Sequence, residues 1–157
     1  MSYTLNRTQR LIYAVITVLA LVILVDFTFF GSVKNQQIEQ VQKSRQQTYN
    51  AARSYHFSYK VITSEYKFQV KEDFAKSELE GKMIEFEVSP LFNEVNWYRL
   101  DSADSKSFHS LRLASGIILP LLVILGIFLV YRFQLKIRNV LYILQILLLG
   151  DFIWLLT

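Results

Sequence analysis

Two carboxylates stand inside stretches that are otherwise apolar: Asp26 in "LALVILVDFTFF" and Asp151 in "ILLLGDFIWLL". In a bilayer such an acid costs about 3 kcal/mol or more unless it is paired or hydrated, so each is a candidate site by position alone. Arg112, at the start of another apolar run, is the basic residue placed to reach them, and Gln145 adds an amide to the run that holds Asp151. Two kinds of chemistry fit these four residues. One is structural, with the acids pairing with Arg112 or turning toward interfacial water so that helices lock in one arrangement. The other is a proton or cation site, or a contact with a partner helix. The structural or partner-contact reading needs fewer assumptions, because three helices are few for a transport path.

Other reactive residue types lack the spacing that chemistry requires. His56 and His109 stand in no metal-binding pattern, and no nucleophile elbow, Walker loop or dinucleotide fingerprint occurs. The serines of "DSADSKSFHS", with Asp101, Asp104 and His109, read more simply as a polar linker than as a hydrolase. Cysteine is absent, which excludes disulfides, thiolate metal sites and a cysteine nucleophile. No catalytic residue, metal, cofactor or enzymatic activity is expected.

Three apolar runs must carry the polar residues: Leu11 to Phe30, Leu113 to Tyr131 and Val140 to Leu156. A hydrocarbon slab about 30 Å thick needs roughly 20 residues of helix, which the third run barely supplies. Pro120 is tolerable near the start of the second span and kinks it. Asp26 lies sixteen residues after Arg10 and Asp151 twelve after Asn139, which puts both in the outer half of the bilayer. Ala114, Ser115, Gly116, Gly126 and Gly150 would let helices approach closely.

The formal net charge of +4 and the pI near 9.3 do not point to nucleic acid. Residues 31–110 hold eleven Lys/Arg and eleven Asp/Glu, so the surplus belongs to the apolar runs and their flanks. "MSYTLNRTQR" and "RFQLKIRN" carry basic residues and no acid. The positive-inside bias therefore puts both in the cytoplasm, with residues 31–110 and the C-terminus outside a cytoplasmic membrane. The first run exceeds a signal-peptide core and no A-x-A-like site follows it, which reads as a retained anchor.

Between the first two spans the pattern changes twice. Over residues 31–53, Ile38, Val41, Thr48 and Ala52 recur at helical spacings among glutamines, which predicts a solvated helical stalk. From Ser54 the period becomes two. Tyr55, Phe57, Tyr59 and Val61, then Tyr66, Phe68 and Val70, then Ile84, Phe86 and Val88 alternate with polar residues, and "NEVNWYRL" makes a less regular fourth strand. "ITSE" suits a tight hairpin and "SPLFN" a proline turn, while "KEDFAKSELEG" predicts a loop or one helical turn ending at Gly81. Tyr55, Tyr59, Tyr66 and Trp97 are candidate partner contacts, although alternation alone fits core packing equally.

"YKVITSEYKFQV" followed by "LEGKMIEFEVSPLF" resembles a small extracytoplasmic β-domain found between the spans of bacterial membrane proteins. The resemblance covers about forty residues, Tyr59 to Phe92. It implies a fold and no activity.

The expected fold is membrane α+β: three transmembrane helices with a small antiparallel β-domain between helices 1 and 2. In residue numbers the expectation is a cytoplasmic N-terminus (1–10), helix 1 (11–30), stalk (31–53), β-domain (54–110), helix 2 (111–131), cytoplasmic loop (132–139) and helix 3 (140–157). The expected partners are the lipid bilayer and a protein partner or further copies of the chain. The expected function is an accessory, scaffold or assembly subunit whose outer domain meets a protein or envelope component. The alternative is a small ligand sensor or transport-associated subunit using Asp26 and Asp151.

Overall fold

The computed structural model describes residues 6–29, 31–47, 55–77, 79–100, 105–133 and 137–156, except the side chains of Gln46, Gln47, Tyr55, His56 and Arg138. They fall into two units. A helical unit comprises Met1–Phe30, Pro90–Phe92 and Leu111–Thr157, and a β unit comprises Gly31–Ser89 and Asn93–Ser110.

In the helical unit, α1 spans Arg7–Thr28, beginning a turn before its apolar run. Asn6 starts it: its side chain accepts from the Gln9 N–H at 2.8 Å while the Gln9 side chain accepts from the Asn6 N–H at 3.1 Å. This reciprocal cap satisfies donors that the first turn leaves open. Thr17 and Thr28 donate their hydroxyls to the carbonyls of Tyr13 and Leu24 at 2.7 Å, so neither leaves a polar atom unmatched on an apolar helix.

The next helix runs continuously over Ser110–Phe133. It comprises α3 (Ser110–Leu113), a π-helical stretch (Ala114–Ile118) and α4 (Leu119–Phe133). Pro120 explains the wide turn. It has no N–H for the carbonyl of Gly116, and just before it Leu119 donates to the carbonyl of Ala114, five residues back. α5 (Arg138–Leu155) completes the unit. Ile16, Ala20, Ile23, Val123, Leu148 and Leu155 form its buried core. Among the described residues two helices, α1 and Ser110–Phe133, are long and apolar enough to cross a membrane, whereas a third apolar helix, Asn139–Leu155, is shorter.

Among the described residues the β unit holds two antiparallel three-stranded sheets. In the first, β5 (Met83–Val88) lies between β1 (Ser32–Gln37) and β6 (Val95–Leu100). In the second, β3 (Tyr55–Ile62) lies between β2 (Gln40–Gln47) and β4 (Lys67–Val70). Alternation put Val61, Phe68, Val70, Ile84, Phe86 and Val88 on apolar faces, and all are buried in one core with Ile38, Tyr59, Leu79 and Tyr98. The aromatic rings knit the two sheets: Phe86 meets Tyr66 at 5.2 Å and Phe68 at 5.0 Å between centroids. The β3–β4 turn closes with Thr63 donating its N–H to the Tyr66 carbonyl at 2.9 Å. After β5, Ser89 and Glu94 close the "SPLFN" turn, where Asn93 takes φ 55°, a conformation asparagine tolerates. In the stretch expected as a loop or one helical turn ending at Gly81, α2 (Glu72–Ala75) is a single helical turn that stops at Ala75, and Gly81 follows at φ 82°.

The stalk requires a correction. Ser32–Gln37 and Gln40–Gln47 are strands rather than a solvated helix, and the β unit begins at Gly31. Spacings of three between Ile38 and Val41 suit a helix, but Ile38 sits between two strands and is 1% exposed in the core. Strand pairing decides the outcome: β1 is in register with β5 along its six residues and β2 with β3 along its eight. Such cross-strand partners override a weak local preference. Thr48 and Ala52 lie outside the described residues. Gly31 is constrained, because a Cβ there would come within 2.2 Å of the Val88 carbonyl oxygen.

His109 is partly buried at the end of the β unit, and burial, then the nearby Lys71 charge, lowers its pKa from 6.5. The unfolded chain therefore takes up the proton more readily than the folded one. This contribution is intact above pH 6.5 and is lost as pH falls below it toward the depressed folded value. Urea titrations of the full chain between pH 7 and 5 should show stability falling with acid, with part of that slope missing in His109→Asn.

Candidate functional site: a buried ion pair in the helical unit

Asp26, two residues before the end of α1, is completely buried. Arg112, in α3, is 4% exposed. Its Nη2 lies 3.3 Å from Asp26 Oδ2, the pairing that the sequence suggested. The other carboxylate oxygen, Oδ1, accepts the backbone N–H of Leu91 at 2.7 Å. Both oxygens of a fully desolvated carboxylate thus face a donor, the condition for a buried charge to be tolerated.

Neighbouring residues hold that geometry. Phe27 follows Asp26, and the Arg112 guanidinium carbon lies 5.3 Å from its ring centroid, a stacked cation–π contact. Gly116 lies flush against the same ring; a Cβ there would fall 2.2 Å from Phe27 Cδ2. Ser115 turns its hydroxyl back to the Arg112 carbonyl at 3.4 Å. Hence the π-helical stretch presents small residues beside the ion pair, and Pro120 one turn later accounts for its shape. Phe92 meets Phe152 of α5 edge to face at 6.0 Å, which anchors the Pro90–Phe92 segment that supplies the Leu91 N–H.

The other candidates fall elsewhere. Gln145 is buried on α5, and its Nε2 finds no acceptor among the described residues. Asp151 is half-buried on the same helix. Tyr59 and Trp97, expected as partner contacts, are 7% and 6% exposed, and Tyr66 packs on Phe86. Tyr59 and Trp97 belong to packing, whereas Tyr66 is half-buried. Trp97 donates its indole N–H to Glu87, and the Lys106 ammonium sits 3.9 Å from its ring centroid. The side chains of Tyr55 and His56 and the whole of Asp101 and Asp104 lie outside the described residues. No group of three His, Asp or Glu able to hold a metal ion, His109 included, occurs among the described residues.

Sequence reasoning found both charges but missed the Leu91 N–H and Phe27. No sequence signal singles out that amide, since every residue but proline carries one. Chemically the site holds charge in place. With both oxygens engaged and no exposure, Asp26 is not accessible to a substrate. Comparisons with family models, with curated proteins and with solved structures give no match for this chain.

Removing the Asp26 charge while keeping its shape leaves Arg112 without its counter-ion. Asp26→Asn should therefore cost about 3–5 kcal/mol. The measurement is thermal or denaturant unfolding of the full chain in mild detergent. Gly116→Ala should also destabilise, by forcing Phe27 away from Arg112.

Proposed function

We propose that the chain is an integral membrane accessory or assembly subunit, anchored by its helical unit and meeting a protein partner through its β unit. The observation that carries this reading is the outward surface of the helices. Only 22% of the most apolar window of α1 and 33% of that of Ser110–Phe133 is buried inside the chain. Leu11, Val15 and Val18 on α1, Leu125 and Phe128 on α4, and Ile143 and Ile146 on α5 are all exposed. Water does not tolerate a continuous apolar surface of that kind, whereas lipid does. The core helix of a soluble protein would be covered instead.

In this reading α5 is a third, short span. The basic flanks at Arg7, Arg10, Arg132, Lys136 and Arg138 favour a cytoplasmic N-terminus, with the β unit and C-terminus on the opposite side. A structural role for Asp26 is favoured over ion transport, because the carboxylate is already paired with Arg112 and out of reach of solvent.

Absence of cysteine makes the test direct. Ser64 and Arg132 are exposed in the β unit and at the end of α4. In intact cells a membrane-impermeant maleimide should label Ser64→Cys, and should label Arg132→Cys only after permeabilisation. The chain should stay with the membrane through an alkaline carbonate wash. Labelling in the reverse order defeats the orientation, and release by carbonate defeats the anchoring.

A further inference from the structure

Charge divides between the two sheets of the β unit. The β1–β5–β6 sheet carries Lys34 and Arg99 against Glu85 and Glu87, and is balanced. Arg99 and Glu85 pair across it at 2.7 Å. The β2–β3–β4 sheet carries Lys43, Arg45, Lys60 and Lys67 and no acid. Neutrality of residues 31–110 as a whole hides this, because acids such as Glu39, Glu65, Glu72 and Asp73 lie outside the strands. Glu39 precedes β2, and Glu65, in the β3–β4 turn, accepts from Gln36 at 3.0 Å.

The cationic sheet also has an open side. β2 is an edge strand in the order β2–β3–β4, so among the described residues one row of its backbone N–H and C=O groups faces no neighbouring strand. Gln40, Gln42, Lys43 and Arg45 are exposed along it. Lys43 is held rather than trailing, its ammonium 4.0 Å from the Phe57 ring centroid and 5.6 Å from that of Tyr59. By register Lys43 and Arg45 stand opposite Tyr59 and Phe57, on one face of the sheet, while Lys60 stands opposite Gln42 on the other. An added strand would thus meet Lys43 and Arg45 with one set of its alternating side chains and Gln40 and Gln42 with the other, Lys60 lying one strand further in.

We propose that β2 is a docking edge for an extended, acidic segment of a partner protein, which adds as a fourth strand. Backbone pairing along the edge supplies affinity, and charge selects the sequence. Like charge on the same edge opposes pairing between two copies of this chain, which removes the self-association an open edge otherwise invites. An anionic membrane surface would satisfy the lysines but would leave the backbone row unpaired. This inference rests on the reading of the β unit as a partner-contact domain and identifies the surface and the chemistry of the partner.

The test uses full-length chain in nanodiscs of neutral lipid and a synthetic peptide alternating threonine and glutamate, matched to β2 in length. Binding is followed by fluorescence anisotropy. The peptide should bind, and Lys43→Glu with Arg45→Glu should weaken it by about tenfold or more. A threonine–lysine peptide should not bind. The same acidic peptide N-methylated at alternate amides keeps its charge but cannot pair as a strand, and should also lose about tenfold. Equal binding of the N-methylated peptide overturns strand addition, as does preference for phosphatidylglycerol vesicles over the acidic peptide. Failure of any acidic peptide to bind overturns it too.

Photocrosslinking in cells separates this inference from the broader one. A photoreactive residue at Gln42 should capture an acidic segment, identified by mass spectrometry, while one at the exposed Val33 of β1 should not. Capture of a partner at Val33 alone leaves the accessory role standing and defeats the edge. Capture at neither position defeats the edge and counts against the accessory role.

Discussion

One carboxylate organises the helical unit. Asp26 has no contact with solvent, and the structure tolerates it because a guanidinium and a backbone amide approach its two oxygens. That requirement fixes more than a pair of side chains. Arg112 can reach Asp26 only at one register of α1 against the Ser110–Phe133 helix, and the Leu91 N–H only with the Pro90–Phe92 segment in place. Apolar packing among Ile16, Ala20, Ile23 and Val123 would tolerate small slips, since such contacts lack direction. A buried charge does not. The ion pair therefore specifies the arrangement even if apolar residues of the same volume would stabilise it equally well.

The backbone around the pair follows from the same demand. Pro120 withholds one amide from the helix, and the chain answers with a wider turn over Ala114–Ile118. The small residues of that turn let the Phe27 ring sit beneath Arg112, where any side chain at position 116 would intrude. In the β unit the equivalent constraint is the aromatic core. Phe86, Phe68, Tyr66 and Tyr98 join the two sheets, and the Tyr98 hydroxyl accepts the Lys71 N–H at 2.7 Å. Burial raises the pKa of that phenol and the Lys71 amide opposes the rise, so Tyr98 stays neutral and packs as a core ring.

Much of this was legible in the residues. Strict alternation in β3, β4 and β5 announces one buried face, and Ile84, Phe86 and Val88 occupy it. Asp26 and Arg112 stand out because charge in an apolar run demands a partner. The segment from Val33 to Gln47 does not announce its strands, for a physical reason. Glutamine, lysine and serine there have no preferred face, and Ile38 and Val41 are too few to distinguish a helix from two strands joined at a bend. Their fold is decided by β5 and β3, which lie elsewhere in the sequence. The Leu91 amide is invisible for a related reason: every residue but proline has one, and only the folded chain aims it at Asp26.

The central claim is that Asp26 and Arg112 act as one unit, and a double-mutant cycle tests it most directly. Asp26→Leu, Arg112→Met and the double variant would be unfolded in the same detergent as the wild type. The account predicts that each single change destabilises strongly and that the double variant recovers most of the loss, with a coupling of about 2 kcal/mol or more. Additive losses would mean that the two side chains do not depend on each other, and would contradict it.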